Sequence, residues 1–242
     1  MIVYPAIDLM NGRCVRLAQG RFEDATIYSA DPAEALARFA DAGAVWAHIV
    51  DLDGAKAGRP VQHDLITRLA AEAPLKLQVA GGFRDAASVA AALAAGASRV
   101  VIGSLAVRDP DAVRAIFATE GTERIALALD VNVIDGAPLV ATAGWTKISG
   151  RTLYDVAAEY PDACHLLATD ISRDGMMRGP NVALMREIAT RLPHVRLQAS
   201  GGVSALADLA ALAETGAAGA IVGKALWEGR IDLAEALACA RA

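Results

Sequence analysis

The chain has 242 residues, 55% of them hydrophobic and 21% charged, with a formal net charge of −5. One barrel of about 250 residues fits that length, and the apolar content suffices for a large core. With no basic run and no aromatic–basic stripe, the chain lacks the positive footprint that non-specific nucleic-acid binding needs.

In chain order, Ile2–Asp8 opens as a strand, and Met1-Ile2-Val3-Tyr4-Pro5 shows no basic region ahead of an apolar stretch and no cleavage signature. A helix is expected from Asp31-Pro32, where a capping aspartate precedes a first-turn proline. Trp46–Asp51 is the second strand, followed by a helix from near His63. Lys76–Ala80 is the third, then a helix from Asp85. The alanine-rich stretch Ala86–Ala97 is broken by Ser88 and Gly96 and falls short of the roughly 20 apolar residues of a membrane helix. Arg99–Gly103 is the fourth strand, with a helix from Asp109-Pro110. Ile125–Asp130, His165–Thr169, Arg196–Ser200 and Ala220–Gly223 complete eight strands. Helices follow them from near Gly150, Asn181, Ser204 and Ile231. Eight short β-branched runs alternating with eight helical ones predict parallel β/α units, and their closure predicts a single (β/α)8 barrel over residues 1–242. A cytoplasmic protein is expected. Cys14, Cys164 and Cys239 are odd in number and scattered, so neither a disulfide framework nor a zinc site is expected.

A repeat supports the count. Ala91–Gly103 aligns with Ala211–Gly223 at an offset of 120 residues (91 to 211). The same offset brings Gly81-Gly82 onto Gly201-Gly202 and Gly103-Ser104 onto Gly223-Lys224. Val50-Asp51 meets Thr169-Asp170 at 119, and Asp8 meets Asp130 at 122. Two half-barrels, about 1–122 and 123–242, are expected to bury their inner faces against each other.

Every repeated polar or glycine position falls at a strand's C-terminal end, where barrels of this kind place their active sites. Glycine lets a backbone approach a ligand closely, and exposed N–H groups there form an anion cradle. Gly81, Gly82, Gly103 and Ser104 are the phosphate-binding candidates of the first half; Gly201, Gly202, Gly223 and Lys224 are those of the second. Lys224–Gly229 is read as the short extra helix often found after strand eight. Tight βα turns alone would also use such glycines, and the Lys224 side chain need not touch phosphate. Two cradles imply a ligand with a phosphate at each end.

Asp8 and Asp130 each end an apolar strand on opposite sides of the barrel. Partial desolvation there raises a carboxyl pKa, so the pair is the candidate acid and base. Asp51 and Asp170 are expected to hold their βα loops through N–H bonds, whereas Thr169 and Asp174 are better placed to reach a substrate. Arg16 and Arg84 are the nearest cations to the mouth, and Arg16 joins the substrate-binding set. Trp145, after Gly144, offers an aromatic face to a heterocycle. His48, out of phase with Asp51, is expected to face a helix. No P-loop, dinucleotide fingerprint, nucleophile elbow or metal-ligand cluster occurs, and no cofactor or metal is expected.

Taken together, Pro5-Ala6-Ile7-Asp8-Leu9, His48–Ala55, Thr169–Gly175, Ala199–Val203 and Val222–Leu226, in that order, make the chain resemble the phosphoribosylformimino-aminoimidazole carboxamide ribotide isomerases of histidine biosynthesis, over essentially its whole length. That resemblance implies an Amadori rearrangement of an aminoaldose carrying two phosphates. Asp130 would protonate the ribose ring oxygen and open the ring to a Schiff base. Asp8 would remove the C2 proton to give an enolamine, which becomes the ketone. Thr169, Asp174 and Trp145 match positions lining the family's pocket. A bis-phosphorylated small molecule is the expected partner, with no nucleic acid and no membrane, and a monomer is expected.

Two departures stand out. Ala80 occupies a place where the family often has a third glycine. Ala143 stands where relatives that also isomerise phosphoribosylanthranilate carry an arginine, which weighs against the bifunctional alternative. A cyclase-type barrel building imidazole glycerol phosphate shares the half-barrel repeat, but its first strand typically ends Cys-Leu-Asp rather than Ala6-Ile7-Asp8. A non-catalytic phosphosugar-binding barrel would not favour two added carboxylates beside two dianions.

Overall fold

The computed structural model describes residues 1–18 and 21–241, and for residues 16–18 and 21–25 it describes the backbone alone. Strand β1 (Ile2–Met10) runs on into a hairpin of β2 (Arg13–Ala18) and β3 (Arg21–Ser29), ahead of α1 (Pro32–Asp41). Strand β4 (Trp46–Asp51) leads into α2 (Leu52–Ala57) and α3 (His63–Glu72). Strand β5 (Lys76–Ala80) precedes α4 (Ala86–Ala94), and β6 (Arg99–Ile102) precedes α5 (Ser104–Arg108) and α6 (Pro110–Glu120). Strand β7 (Ile125–Ile134) again extends into a hairpin, β8 (Ala137–Thr142) and β9 (Lys147–Thr152), before α7 (Leu153–Ala157). Then come β10 (His165–Asp170) with α8 (Val182–Arg191), β11 (Arg196–Ser200) with α9 (Leu206–Ala213), and β12 (Gly219–Val222) with α10 (Lys224–Trp227) and α11 (Leu233–Cys239).

Strands β1, β4, β5, β6, β7, β10, β11 and β12 pair in parallel in that order, and β12 closes on β1. The result is a closed (β/α)8 barrel with no free edge among these strands. Helix starts follow the expected chemistry. Asp31, Asp85 and Asp109 cap α1, α4 and α6, each accepting a backbone N–H near the start of its helix.

Alternation along the strands sorts two cores. Val3, Ile7 and Leu9 of β1 pack outward with Ala47 and Ile49 of β4 and the inner faces of the helices. Tyr4 and Ala6 face the barrel interior with Leu167 and Ile221. Half-way down, the interior is polar. Gln78 and Gln198, 120 residues apart, exchange two amide hydrogen bonds of 2.7 and 3.0 Å. Arg99 donates to Gln78 (3.0 Å) and to the Tyr4 hydroxyl (3.2 Å) while lying 4.4 Å over the Trp46 ring. The two glutamines thus clasp opposite sides of the barrel across its axis.

Two expectations need correction. A helix was expected from Gly150, but Gly150 lies in β9 with φ +76, and α7 begins only after Thr152, which forms a capping box with Asp155. The hairpin carries the chain three residues farther as strand before it can turn into helix. His48 does not face a helix. Ala47 and Ile49 take the outward phase of β4, so His48 shares the inward phase with Trp46 and Val50, and it accepts a hydrogen bond from Gln78 at Nδ1 (3.1 Å). Burial lowers its pKa to about 4, so the imidazole is neutral near pH 7.

Candidate active site

The C-terminal ends of the strands surround a mouth, and each end is shaped by local rules. Asp51 turns β4 into α2: its carboxylate accepts the N–H groups of Gly54 (2.7 Å), Val61 (2.7 Å) and Gln62 (2.9 Å). Asp170 does the same after β10, accepting from the Ser172 N–H (2.9 Å), the Ser172 hydroxyl (2.6 Å) and the Asn181 amide (2.7 Å). Both aspartates are buried, and both hold loops, as the repeat suggested. The glycines after β5 and β11 have φ between +81° and +110°. A side chain at Gly81 would overlap the Asp51 carbonyl oxygen, and one at Gly201 would stand 2.8 Å from that of Asp170. Each pair therefore packs under the loop that its half's aspartate holds. Ala80 has no positive φ, so its methyl group is accommodated without strain.

Within this frame lies a cavity of about 270 Å³. Asp8 from β1 and Asp130 from β7, on strands diametrically opposed in the ring, both line it. So do Trp145, Thr169 and Asp174. The four candidate glycine and serine positions of the first half, Gly81, Gly82, Gly103 and Ser104, form one side of it. Those of the second half, Gly201, Gly202, Gly223 and Lys224, line a smaller adjoining cavity of about 40 Å³. Ala6, Asp174, Ser200 and Ile221 border both. Gly103 and Gly223 share one backbone conformation (φ −104, ψ −94 and φ −110, ψ −92). The Lys224 ammonium is turned to the Gly175 carbonyl (3.0 Å) and to Glu228 (3.7 Å). The Arg16 side chain lies outside the described residues; Arg84 borders the larger cavity.

Asp130 sits opposite Thr169 in the β7–β10 register. Burial pushes its carboxyl above the usual range. Hydrogen bonds from Trp145 and Thr169 partly offset that rise, and the charge of Asp174 adds to it. The Trp145 indole donates to Asp130 Oδ2 at 2.8 Å. That indole is carried on a tip, Ala143-Gly144-Trp145, where all three residues have positive φ, and the Ala143 N–H donates to the Ser104 hydroxyl (3.2 Å). Trp145 thus touches a carboxyl through its edge, a contact that the lone aromatic in the sequence did not signal. Ser200 was missed as well; its alignment with Ala80 at the 120-residue offset marks it as a mouth position. His48, turned inward, also borders the larger cavity. Among the described residues no group of three or more His, Cys, Asp or Glu is arranged to hold a metal ion, and no helix is long and apolar enough to cross a membrane.

A closed parallel barrel that gathers ionisable side chains from opposed strands around one mouth cavity defines a (β/α)8-barrel enzyme. Residues 2–232 match the model of the histidine biosynthesis protein family, and the chain belongs to that family. It is 50% identical to a Maricaulis maris protein over 100% of this chain and 99% of the relative. It is 48% identical to one from Stenotrophomonas maltophilia (98% and 99%) and 44% identical to one from Elusimicrobium minutum (98% and 99%). All three relatives bear the name 1-(5-phosphoribosyl)-5-((5-phosphoribosylamino)methylideneamino) imidazole-4-carboxamide isomerase.

Proposed function

We propose that this chain isomerises the bis-phosphorylated aminoaldose named in its relatives to the aminoketose, with Asp130 as acid and Asp8 as base. The observation that carries the reading is one cavity bordered by both carboxyls and by the first-half glycine turns, with the second-half glycine turns lining an adjoining cavity. Asp130 is suited to the acid role, because a buried carboxyl holds its proton to higher pH. It protonates the ribose ring oxygen, the ring C–O bond breaks, and the nitrogen lone pair forms the Schiff base. Asp8 then takes the C2 proton, and the resulting enolamine tautomerises to the ketone. Thr169, Asp174, Trp145 and Arg16 contact the substrate between the cradles. Gly81, Gly82, Gly103 and Ser104 hold one phosphate; Gly201, Gly202, Gly223 and the backbone at Lys224 hold the other. The unit is one barrel of two half-barrels, 1–122 and 123–242, acting as a cytoplasmic monomer without nucleic-acid or membrane partners. Ala143, where an arginine would mark the dual isomerase, favours the single substrate.

Turnover of the aminoaldose, with phosphoribosylanthranilate assayed separately, tests the reaction. Inorganic phosphate should compete with substrate, and crystals soaked in it should hold an anion at each cradle; one occupied cradle would sink the two-ended model. A second expectation concerns pH. An N–H donor favours the ionised carboxyl, so Trp145→Phe should raise the Asp130 pKa further. The alkaline limb of kcat/KM, where an acid loses its proton, should then move to higher pH. Asp174, Thr169 and Asp8 also face this carboxyl's cavity, and all three remain in the variant. A limb that stays put or moves to lower pH would exclude Asp130 as the group titrating there.

A further inference from the structure

Trp227 ends α10, the short helix that follows the Gly223 turn at the second-half cradle. It lines neither cavity. Its indole Nε1 donates to the Ala6 carbonyl at 2.9 Å, and Ala6 lies two residues before Asp8 and borders both cavities. The β1–β12 ladder ends at the pair Pro5 and Val222, because the chain leaves the sheet at Gly223. The indole therefore supplies a donor one step past the last ladder pair, where β1 runs on toward Asp8 without β12 beside it. The same ring stacks on Tyr28 of β3, with centroids 5.5 Å apart and planes at 19°. It also meets the edge of Phe39 of α1 at 6.1 Å. Tyr28 in turn donates to Glu228, the residue after Trp227, at 3.1 Å. The strand carrying Asp8, its hairpin and the cradle helix thus converge on one side chain. The equivalent position in the first half, 120 residues before Trp227, is Val107, whose side chain has no N–H to offer the strand leading to Asp130.

We propose that Trp227 is a positioning residue, which rests on the isomerase reading above: it holds Asp8 at a set distance from the second-half phosphate cradle, so that anchoring the far phosphate aligns the base with the carbon it deprotonates. Binding energy from a remote group is then spent on orientation at the reacting centre, where small displacements weigh heavily. The asymmetry has a chemical sense. Proton abstraction from carbon demands close alignment of the base, whereas protonation of a ring oxygen tolerates a broader approach.

The test compares the wild-type chain with Trp227→Phe, which keeps a stacking ring but loses the N–H. With the aminoaldose as substrate, kcat should fall roughly 10- to 100-fold, while KM and the inhibition constant of inorganic phosphate each stay within about threefold. Loss of packing alone would instead raise KM and the phosphate constant together. Trp227→Tyr, which also removes the donor from that place, serves with the same expectation should the Phe variant not fold. A kcat within twofold of wild type, or a fall in kcat matched by weaker phosphate binding, overturns the proposal. A wild-type chain with no turnover of the aminoaldose would overturn the isomerase reading, and the positioning role with it; normal wild-type turnover beside an unaffected variant overturns the positioning role alone.

Discussion

Asp130→Asn and Asp8→Asn each lower kcat by about 10²-fold or more, with KM within a few-fold of wild type, in a direct assay of aminoaldose turnover. The asymmetry between the two constants follows from the geometry. Both carboxyls border the larger cavity together with the first-half turns, and the second-half turns border the adjoining smaller one. An amide matches a carboxyl in shape but neither gives nor takes the proton, so it removes chemistry and leaves the grip. The Asp130 variant carries a second expected result. Burial raises the Asp130 pKa, so ionising it is harder in the folded than in the unfolded chain. A carboxyl with such a shift contributes fully below its unfolded pKa, and its contribution is lost as pH climbs through the folded value. Asp130→Asn should therefore melt higher than wild type at neutral to alkaline pH, and the two melting curves should converge on acidification. An asparagine oxygen can still accept from Trp145, and the Thr169 hydroxyl, which accepts as well as donates, can meet either end of the amide, so no donor there need be orphaned. Near-wild-type turnover in either variant would remove that residue from the acid–base pair.

Gly81→Ala destabilises the fold by about 3 kcal/mol or more, adding steric overlap to the 1–3 kcal/mol typical of a strained backbone. For a domain of this size that corresponds to a fall of roughly 6–12 °C in Tm. Two causes act together. The residue holds φ +110, and a methyl group there would run into the Asp51 carbonyl oxygen. Neither side can yield easily, because Asp51 is buried and held by three N–H groups. Gly201→Ala should cost less, since its methyl group would stand 2.8 Å from the Asp170 oxygen at φ +94. A melting temperature within about 2 °C of wild type for Gly81→Ala, or the reverse order of the two variants, would show that the turn does not depend on the missing side chain.

Much of the barrel was legible because its determinants are local and periodic. Apolar runs of strand length, helix caps at Asp31, Asp85 and Asp109, and strand ends marked by Gly or Asp each act over a few residues. The 120-residue offset joined them into two equivalent halves. It also identified Asp51 and Asp170 as loop holders, since one job repeated in two places leaves one pattern in the chain. The hairpins after β1 and β7 were not legible. They form by antiparallel pairing with the continuations of barrel strands, which no local period marks, and β9 (Lys147–Thr152) is partly exposed and lacks an apolar run, so Gly150 read as a helix start.

What the sequence determined by itself was the eight-fold alternation, its duplication and the set of residues at the strand ends. What only the tertiary structure decided was which of those residues face one another. His48 turned inward because Ala47 and Ile49 claimed the outer face of β4 for the helices. Trp145 reached Asp130, and Trp227 reached Ala6, across 15 and 221 residues of chain. The Trp227 contact arises from closure of the ring, which sets β12 beside β1, whereas Trp145 is returned to Asp130 by the hairpin that extends β7. A side-chain hydrogen bond of either kind leaves no period or spacing in the sequence, so it becomes visible only once the hairpin has folded back and the barrel has shut.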